Sequence, residues 1–414
     1  MKILNKHMTF GRFAFLICDL IYELFLGLVA RLTLVAVGHK IKKVKNSPLK
    51  ILIVCNRALM AEYLQDIYEL MKNDSRVRFF LLKYFMYDRE GARKDISQKI
   101  PLPLVSRLCA YFMRWDLFIT ASIQQKKLID KNRAPALLIG HGIIAGGIRD
   151  NKLVDFGPDY YSYFNKKNVR FSKVFVSSDY NKQRAINVDP QYKDIVRVVG
   201  FLQSDKLVEA MKERELIRRQ FGFTASDKVV FALSTWGEHC LFNTMGDAFL
   251  SQAVLLRDKY KFILNVHSME HREKPRGERI WGQYLRNFKN QGFIIREPGE
   301  EWFKYMVACD VVVTDYTSMA LNAPLIERPL VYSPFPDSCV AGDSLIMKLK
   351  HISPTLRTDA LDLDEKLQYA LCHYPTEKLK EVALDINSAL GKAKENYKKE
   401  IYAMLNLSEC EESG

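Results

Sequence analysis

The chain has 414 residues, more than one hydrophobic core of ordinary size uses, so its length favours two domains. Its 48% hydrophobic and 27% charged residues, with 14 Pro and 20 Gly, exclude a disordered, collagen-like or low-complexity chain. The formal net charge of +14 attracts anions, but no RNA-binding signature, zinc-finger spacing or long Lys/Arg block accompanies it. The predicted partners are therefore an anionic membrane surface and phosphorylated substrates, and not nucleic acid.

The eight cysteines are scattered, form no CxxC pair and lie mostly in apolar stretches such as the one ending at Cys55. This pattern is typical of buried free thiols in a reducing compartment. The sequence therefore predicts neither a disulfide framework nor a metal site.

An apolar segment at residues 13–37 is interrupted by Asp19, Glu23 and Arg31 and flanked on both sides by basic residues. Internal charges disfavour a simple membrane span, whereas flanking basic residues favour binding to anionic lipid. We predict that residues 1–47 are a membrane-associating helical segment, peripheral at the cytoplasmic face of the cell membrane. The alternative is a helix that packs on the first domain or forms a contact in a homo-oligomer.

The first predicted domain, residues 48–203, begins with a continuous apolar run typical of a parallel strand that is buried on both faces. A helical pattern at 58–71 follows this run and completes a βα unit. The predicted strands are 50–55, 77–82, 115–120, 136–139, 173–177 and 196–199. We therefore expect a Rossmann-like α/β domain.

The second predicted domain, residues 204–385, repeats the alternation of strands and helices. Its predicted strands are 229–234, 261–266, 292–295, 307–314 and 329–332. Its predicted helices are 205–220, 244–257, 282–290, 301–308 and 319–325, and the tail 363–405 is helical and charged, with residues 386–414 as C-terminal helix and tail. The predicted fold class is α/β, with two Rossmann-like domains facing across a cleft.

Two well-known nucleotide motifs are absent from the sequence. There is no Gly-x-Gly-x-x-Gly fingerprint, which argues against a nicotinamide dehydrogenase, and no Walker motif, which argues against a P-loop kinase. Open α/β domains bind ligands at the carboxyl ends of their strands, so we expect the site there, in the cleft between the domains.

The segment 311–318 is the most specific stretch, because an apolar strand runs directly into polar residues at the start of a predicted helix. Thr317 and Ser318 lie in the first turn of that helix, where unpaired backbone N–H groups and hydroxyls favour a phosphate. The alternative is an ordinary N-cap without a ligand.

Three histidines are candidate functional residues. His141, followed by Gly142, comes after the strand at 136–139, where an imidazole can take a proton from an attacking hydroxyl; the alternative is a histidine that caps a loop carbonyl. His267 follows the strand at 261–266 in the equivalent position of the second domain. His271 lies in a polar stretch and is expected to face solvent or to contact phosphate.

Ser234, Thr235 and Trp236 follow the strand at 229–234. They offer hydroxyls and an aromatic face to a nucleotide, although a core tryptophan fits the pattern equally well.

Together these motifs resemble the CDP-glycerol glycerophosphotransferase family of teichoic-acid and capsule synthesis, over about residues 135–340. The matching residues are His141-Gly142, Gly200-Phe201 with Asp205-Lys206-Leu207, Ser234-Thr235-Trp236, His267 and Val313-Thr314-Asp315-Tyr316-Thr317-Ser318. The last run is the most specific. The resemblance implies the GT-B fold, in which two Rossmann-like domains are combined.

The resemblance also implies roles for these residues. His141 would be the base for the acceptor hydroxyl, His267 would contact the donor phosphates, Thr317 and Ser318 would hold those phosphates, and Asp315 would orient a histidine or the acceptor. The expected reaction transfers a polyol phosphate, such as glycerol phosphate, from a CDP-alcohol to a hydroxyl of a lipid-linked or polymeric acceptor. The CDP-alcohol is a substrate, and no permanently bound cofactor or metal is expected.

The sequence departs from the family pattern at two points. Ile143 follows His141-Gly142 where the family usually has Thr, and Ser268 follows His267 where it normally has Pro. The alternatives are a GT-B glycosyltransferase using a nucleotide-sugar, a UDP-N-acetylglucosamine 2-epimerase-like enzyme suggested by residues 141–149, and a catalytically inactive GT-B binding module at the membrane.

Overall fold

The computed structural model describes residues 47–55, 58–83, 100–121, 134–140, 148–149, 152–153, 171–188, 190–271, 279–374 and 376–408. The predicted membrane-associating segment lies outside these ranges except for its last residue, and so do His141 and Gly142. Within the described ranges, no helix is both long enough and apolar enough to cross a membrane.

The described strands, numbered in chain order, are β1 Leu49–Cys55, β2 Val77–Lys83, β3 Leu117–Thr120, β4 Ala136–Leu138, β5 Ile148–Arg149, β6 Lys152–Leu153, β7 Lys173–Val176, β8 Val196–Val198, β9 Val229–Ser234, β10 Lys261–Val266, β11 Ile294–Ile295, β12 Val311–Thr314 and β13 Leu330–Tyr332. The α-helices are α1 Ala58–Met71, α2 Arg107–Phe112, α3 Asp179–Val188, α4 Leu202–Met211, α5 Arg214–Gln220, α6 Leu241–Leu255, α7 Trp281–Tyr284, α8 Trp302–Ala308, α9 Leu345–Ile352, α10 Leu363–Cys372, α11 Thr376–Ile386 and α12 Ala393–Leu405. Short 3₁₀ helices lie between several of them.

The first sheet has the strand order β2-β1-β3-β4-β7-β8, and β1 pairs in parallel with both β2 and β3. The apolar run of β1 is completely enclosed, with Ile51, Leu52 and Ile53 at 0% exposure. Burial on both faces is what a continuous apolar strand requires. The Trp115 indole completes the core on one side and donates a hydrogen bond to the Ala110 carbonyl, 2.9 Å away.

The second sheet has the strand order β11-β10-β9-β12-β13, and all its pairs are parallel. Every residue of β9 and β12 is buried. An aromatic cluster that includes Phe249, Phe262 and Trp281 packs on one face of this sheet. The two parallel sheets with their helices confirm the predicted α/β fold class.

The chain forms two compact units. The first comprises residues 1–141, 167–175 and 394–414, and the second comprises 142–166 and 176–393. The boundaries predicted from the sequence, at residues 203 and 385, remain predictions.

A turn at residues 389–393 is fixed by contacts within the second unit. Asp205, in the Asp-Lys-Leu run, accepts hydrogen bonds from the backbone N–H groups of Gly391 and Ala393, both at 2.8 Å. Gly200 has a φ of +85° and touches the same turn, where an added Cβ would lie 2.8 Å from the Ala389 carbonyl oxygen. Gly200 and Asp205 therefore have a structural role in fixing this turn.

Several predicted helices differ from those observed. The predicted helix 205–220 is two helices, α4 and α5, and the predicted helix 282–290 is α7 followed by a 3₁₀ helix, Leu285–Gln291. The predicted helix 319–325 is two 3₁₀ segments, Ser318–Asn322 and Pro324–Ile326, because proline has no backbone N–H to continue an α-helical ladder.

Candidate functional site

The register of the second sheet brings the predicted site residues to one edge. Ser234 pairs with Val266 at the end of β10, and Thr314 at the end of β12 pairs with Leu233. The residues that follow these three parallel strands therefore emerge at the same edge. We call Ser234–Trp236, His267 and Asp315–Ser318 the carboxyl-edge site.

Asp315 is the buried centre of this site, with 0% exposure. One carboxylate oxygen, Oδ2, accepts hydrogen bonds from the Ser234 hydroxyl and from the backbone N–H groups of Thr235 and Leu241, each at 2.9 Å. The other, Oδ1, accepts the Thr317 N–H at 2.9 Å. One carboxylate thus joins the turn after β9, the start of α6 and the turn after β12.

The protonation of Asp315 reflects two opposing effects. Burial raises its pKa to about 6, although the hydrogen bonds from the backbone and from Ser234 act to lower the pKa. At neutral pH the carboxylate is therefore ionised, which suits a group whose neighbours are hydrogen-bond donors.

The turn that carries Thr317 and Ser318 has a different form from the predicted one. Thr317 is the N-cap of a five-residue 3₁₀ helix, and its hydroxyl accepts the Met319 N–H at 3.5 Å. Its own N–H is committed to Asp315. Ser318 is exposed, so its hydroxyl faces solvent. A short 3₁₀ helix has a smaller dipole than an α-helix, so its first turn attracts a phosphate less strongly, and the hydroxyls of Thr317 and Ser318 would contribute more to phosphate binding.

His267 and Trp236 lie next to each other, with ring centroids 6.3 Å apart, and both are partly exposed. The Nδ1 atom of His267 accepts the Met269 N–H at 3.2 Å. This contact places the proton of a neutral imidazole on Nε2, which is then a hydrogen-bond donor. Trp236 is partly exposed, whereas Trp115 and Trp281 are buried in the cores, at 3% and 5% exposure.

This edge also holds a buried carboxylate that no sequence pattern indicates. Glu270 is 3% exposed, and its Oε1 lies 3.4 Å from the Gly237 backbone nitrogen, which donates to it. It stands in a stretch of charged residues that is typical of a solvated surface, so no sequence signal singles it out. The 3₁₀ helix Ser268–His271 turns it inward.

His271 is not solvent-facing, contrary to one of the two roles expected for it. It is half-buried against the backbone of Gly282, where an added Cβ would lie 2.3 Å from Nδ1 of the ring. Burial lowers its pKa. The second expected role, contact with a phosphate, remains a prediction.

Aromatic and basic side chains line the β13 side of the edge. The Tyr316 ring lies 5.3 Å from that of Phe335, and the Lys350 ammonium lies 4.1 Å from the Phe335 ring. Burial, reinforced by the charge of Asp315, raises the pKa of Tyr316, so its hydroxyl stays protonated.

Two further predictions concern cysteines and metals. Cys55, Cys240 and Cys309 are buried free thiols as predicted, but Cys109 and Cys372 are exposed. Within the described part of the chain, no three His, Cys, Asp or Glu side chains come together as a metal site.

Comparisons with known proteins give matches only among solved structures. No protein-family model matches the sequence, and no curated protein matches it significantly. Solved structures of the wall teichoic acid polymerase TagF do match. One variant aligns at a TM-score of 0.63 and 14% identity over 96% of this chain and 98% of that one. Another TagF structure aligns at 0.61 and 15% identity, and a variant soaked with CDPG aligns at 0.62 and 14% identity, each over 93% of this chain and 98% of that one.

At such identities the similarity establishes a common fold. The chain shares that fold, with two parallel sheets in the α/β class that the sequence predicted.

Proposed function

We propose that this protein is a transferase that moves a polyol phosphate, most simply glycerol phosphate, from a CDP-activated donor to a hydroxyl of a lipid-linked or polymeric acceptor. Such a reaction belongs to the synthesis of a cell-surface polymer such as teichoic acid or capsule. The donor is consumed as a substrate.

The observation that carries this proposal is the convergence at the carboxyl edge of the second sheet. Three parallel strands deliver an aromatic ring, a histidine and two hydroxyls to one edge, around a buried carboxylate. Open α/β sheets bind nucleotides at this edge. The TagF structure soaked with CDPG shares the fold, which supports a CDP-alcohol as the donor.

In the proposed reaction, the acceptor hydroxyl oxygen attacks the donor phosphorus that bears the polyol. The new P–O bond forms as the bond to the bridging oxygen breaks, and CMP leaves with that oxygen. His141 takes the hydroxyl proton. His267 donates its Nε2 proton in a hydrogen bond to the donor phosphates, and Thr317 and Ser318 donate from their hydroxyls, so the developing charge is stabilised by groups already in place.

Asp315 has a positioning role in this proposal. Its carboxylate is enclosed and occupied by donors from Ser234, Thr235, Leu241 and Thr317. It therefore sets the two turns that carry the aromatic ring and the hydroxyls, and it does not take part in proton transfer.

The test is incubation of the full chain with a panel of donors: CDP-glycerol, CDP-ribitol, UDP-sugars and CMP-sugars, with release of CMP or UDP measured. Release of CMP from a CDP-alcohol is expected. UDP release from a UDP-sugar would favour a glycosyltransferase, and conversion of UDP-N-acetylglucosamine without release would favour an epimerase. No turnover and no nucleotide-dependent thermal shift would favour the binding module.

Two variants test the assigned roles. His141→Ala should abolish CMP release in a folded protein, and wild-type activity in that variant would rule out the base assignment. His267→Ala should lower kcat with CDP-glycerol by about a hundredfold, in the range for loss of one preorganised donor. Ser226→Ala, an exposed residue before β9, is a suitable control with unchanged activity.

We also propose that residues 13–37 attach the protein to an anionic membrane surface. The support is the apolar run and its flanking basic residues. The full chain should float with vesicles that contain phosphatidylglycerol and not with neutral ones. If it does not float and is oligomeric in solution, the alternative of a contact between copies is favoured.

A further inference from the structure

A short chain of hydrogen bonds leads from the aromatic cluster to the loop that carries Trp236. The indole Nε1 of Trp281 donates to Oδ1 of Asn243 at 2.6 Å, and Nδ2 of Asn243 donates to the Gly237 carbonyl at 2.8 Å. Both ends of the Asn243 amide are therefore used, each in the role its chemistry allows. We call these three residues the relay.

The relay ends at the apex of the loop between β9 and α6. Asp315 fixes both ends of this loop, through the N–H groups of Thr235 and Leu241. The apex itself depends on other contacts: the Gly237 carbonyl accepts from Asn243 at 2.8 Å and from the Cys240 N–H at 3.3 Å, and Glu270 accepts from the Gly237 nitrogen. Gly237 has a φ of +104°, a conformation that other residues rarely adopt. Its nitrogen, which donates to Glu270, lies in the peptide that joins Gly237 to Trp236.

The relay begins at a side chain that cannot shift easily. Trp281 is 5% exposed and packs on α6 at Gly246, where an added Cβ would lie 2.4 Å from the ring. The Arg279 guanidinium lies over the Trp281 ring, 4.8 Å from its centroid. It also donates a hydrogen bond of 2.6 Å to the carboxylate of Asp247 in α6. The indole N–H is thus a fixed donor, which keeps the Asn243 amide in one orientation.

Trp281 and His267 belong to the same connection between β10 and β11, and Trp236 belongs to the connection between β9 and α6. The relay therefore ties together the two loops whose rings lie side by side in the carboxyl-edge site. We propose that Asn243 is a positioning residue that holds Trp236 against His267, and so preorganises the site for the nucleotide of the donor. This inference rests on the proposed function for the identity of its ligand.

The test uses Asn243→Ala and Asn243→Asp, with Thr244→Ala, the exposed next residue of α6, as a matched control. Asn243→Ala should weaken CDP binding in calorimetry about tenfold and raise KM for CDP-glycerol similarly, since one partner of a polar contact is lost. The kcat should stay within about twofold, because preorganisation of binding, and not chemistry, is changed. Asn243→Asp should lose at least as much, because its carboxylate faces the Gly237 carbonyl oxygen.

Hydrogen exchange of the free protein gives a readout that does not need a ligand. Backbone amides of residues 236–240 should exchange about tenfold faster in Asn243→Ala than in the wild type, while the amides of β9 exchange at the wild-type rate. In the Thr244→Ala control, both sets of amides should exchange at the wild-type rate. Trp281→Phe, which keeps the ring and removes the donor, should show a smaller change in the same direction and serves if the first variants do not fold.

Wild-type exchange and CDP affinity in Asn243→Ala would overturn the inference. So would a fall in kcat at constant KM, which is the signature of a smaller folded fraction. A wild-type protein that binds no cytidine nucleotide would refute the proposed function, whereas the exchange measurement would still decide whether Asn243 fixes the loop.

Discussion

Replacing Gly200 with Ala tests the structural role of the Gly-Phe-x-x-x-Asp-Lys-Leu run. Its φ of +85° is unfavourable for a residue with a Cβ, which costs about 1 kcal/mol. The new Cβ would lie 2.8 Å from the Ala389 carbonyl oxygen and 3.1 Å from the Ala393 Cβ. Displacing backbone in a packed region costs about 1–3 kcal/mol more. We expect the free energy of unfolding to fall by about 2–4 kcal/mol in total.

The chain offers a matched control for the conformational part of this cost. Gly222 has a φ of +80° but nothing within 4 Å of its added Cβ, so Gly222→Ala should cost only about 1 kcal/mol. Both variants are compared with the wild type by urea unfolding followed by circular dichroism. Equal losses in the two variants would show that the contact with Ala389 contributes nothing, and would refute the reasoning.

Asp315→Ala leaves four hydrogen-bond donors without their acceptor, so the free energy of unfolding measured in urea should fall by about 3 kcal/mol. Asp343→Ala, at an exposed position, is the control and should leave the urea midpoint unchanged. Glu297 tests a pH dependence: its hydrogen bonds with Arg286 and then Lys289 lower its pKa from 4.5 to about 2. Because the folded-state pKa is depressed, this stabilisation is complete above about pH 4.5 and is lost as the pH falls through about 2. Glu297→Gln should therefore be less stable than the wild type by about 1 kcal/mol at pH 7, after allowance for solvent screening, and equally stable near pH 2. A difference in the free energy of unfolding that does not change with pH would contradict this.

Two strands of the second sheet were predicted to the residue, whereas the strand predicted at 307–314 begins four residues later, at Val311, because residues 307 and 308 end helix α8. The ranges predicted for β9 and β10 are those observed, Val229–Ser234 and Lys261–Val266, because a strand buried on both faces is a continuous apolar run with polar ends. Helix ends were predicted less well. The run at 205–220 keeps a helical pattern through the break between α4 and α5, and periodicity alone does not reveal such a break.

The residues of the carboxyl-edge site also fall into two groups: those that a local sequence pattern indicates, and those whose contacts form only between distant elements. Trp236, His267 and Asp315 were found because each follows a recognisable strand, and parallel strands share an edge. Asn243 and Glu270 were not found, because their partners come from other elements and their own neighbourhoods in the sequence look ordinary. A helical asparagine and an acidic residue in a charged stretch gain their roles only when the chain folds.

Asp315 shows why stability and function must be measured together in this protein. The carboxylate that joins the start of α6 to the turns after β9 and β12 also sets the places of Trp236 and Thr317. Any substitution at Asp315 that weakens folding will therefore also disturb the carboxyl-edge site, and loss of activity alone does not make it a catalytic residue. His267 differs, because its ring is partly exposed beside Trp236 and its Nδ1 atom accepts the N–H of the local Met269 backbone. A loss of kcat in His267→Ala with an unchanged free energy of unfolding is the result that distinguishes a role in the reaction from a role in folding.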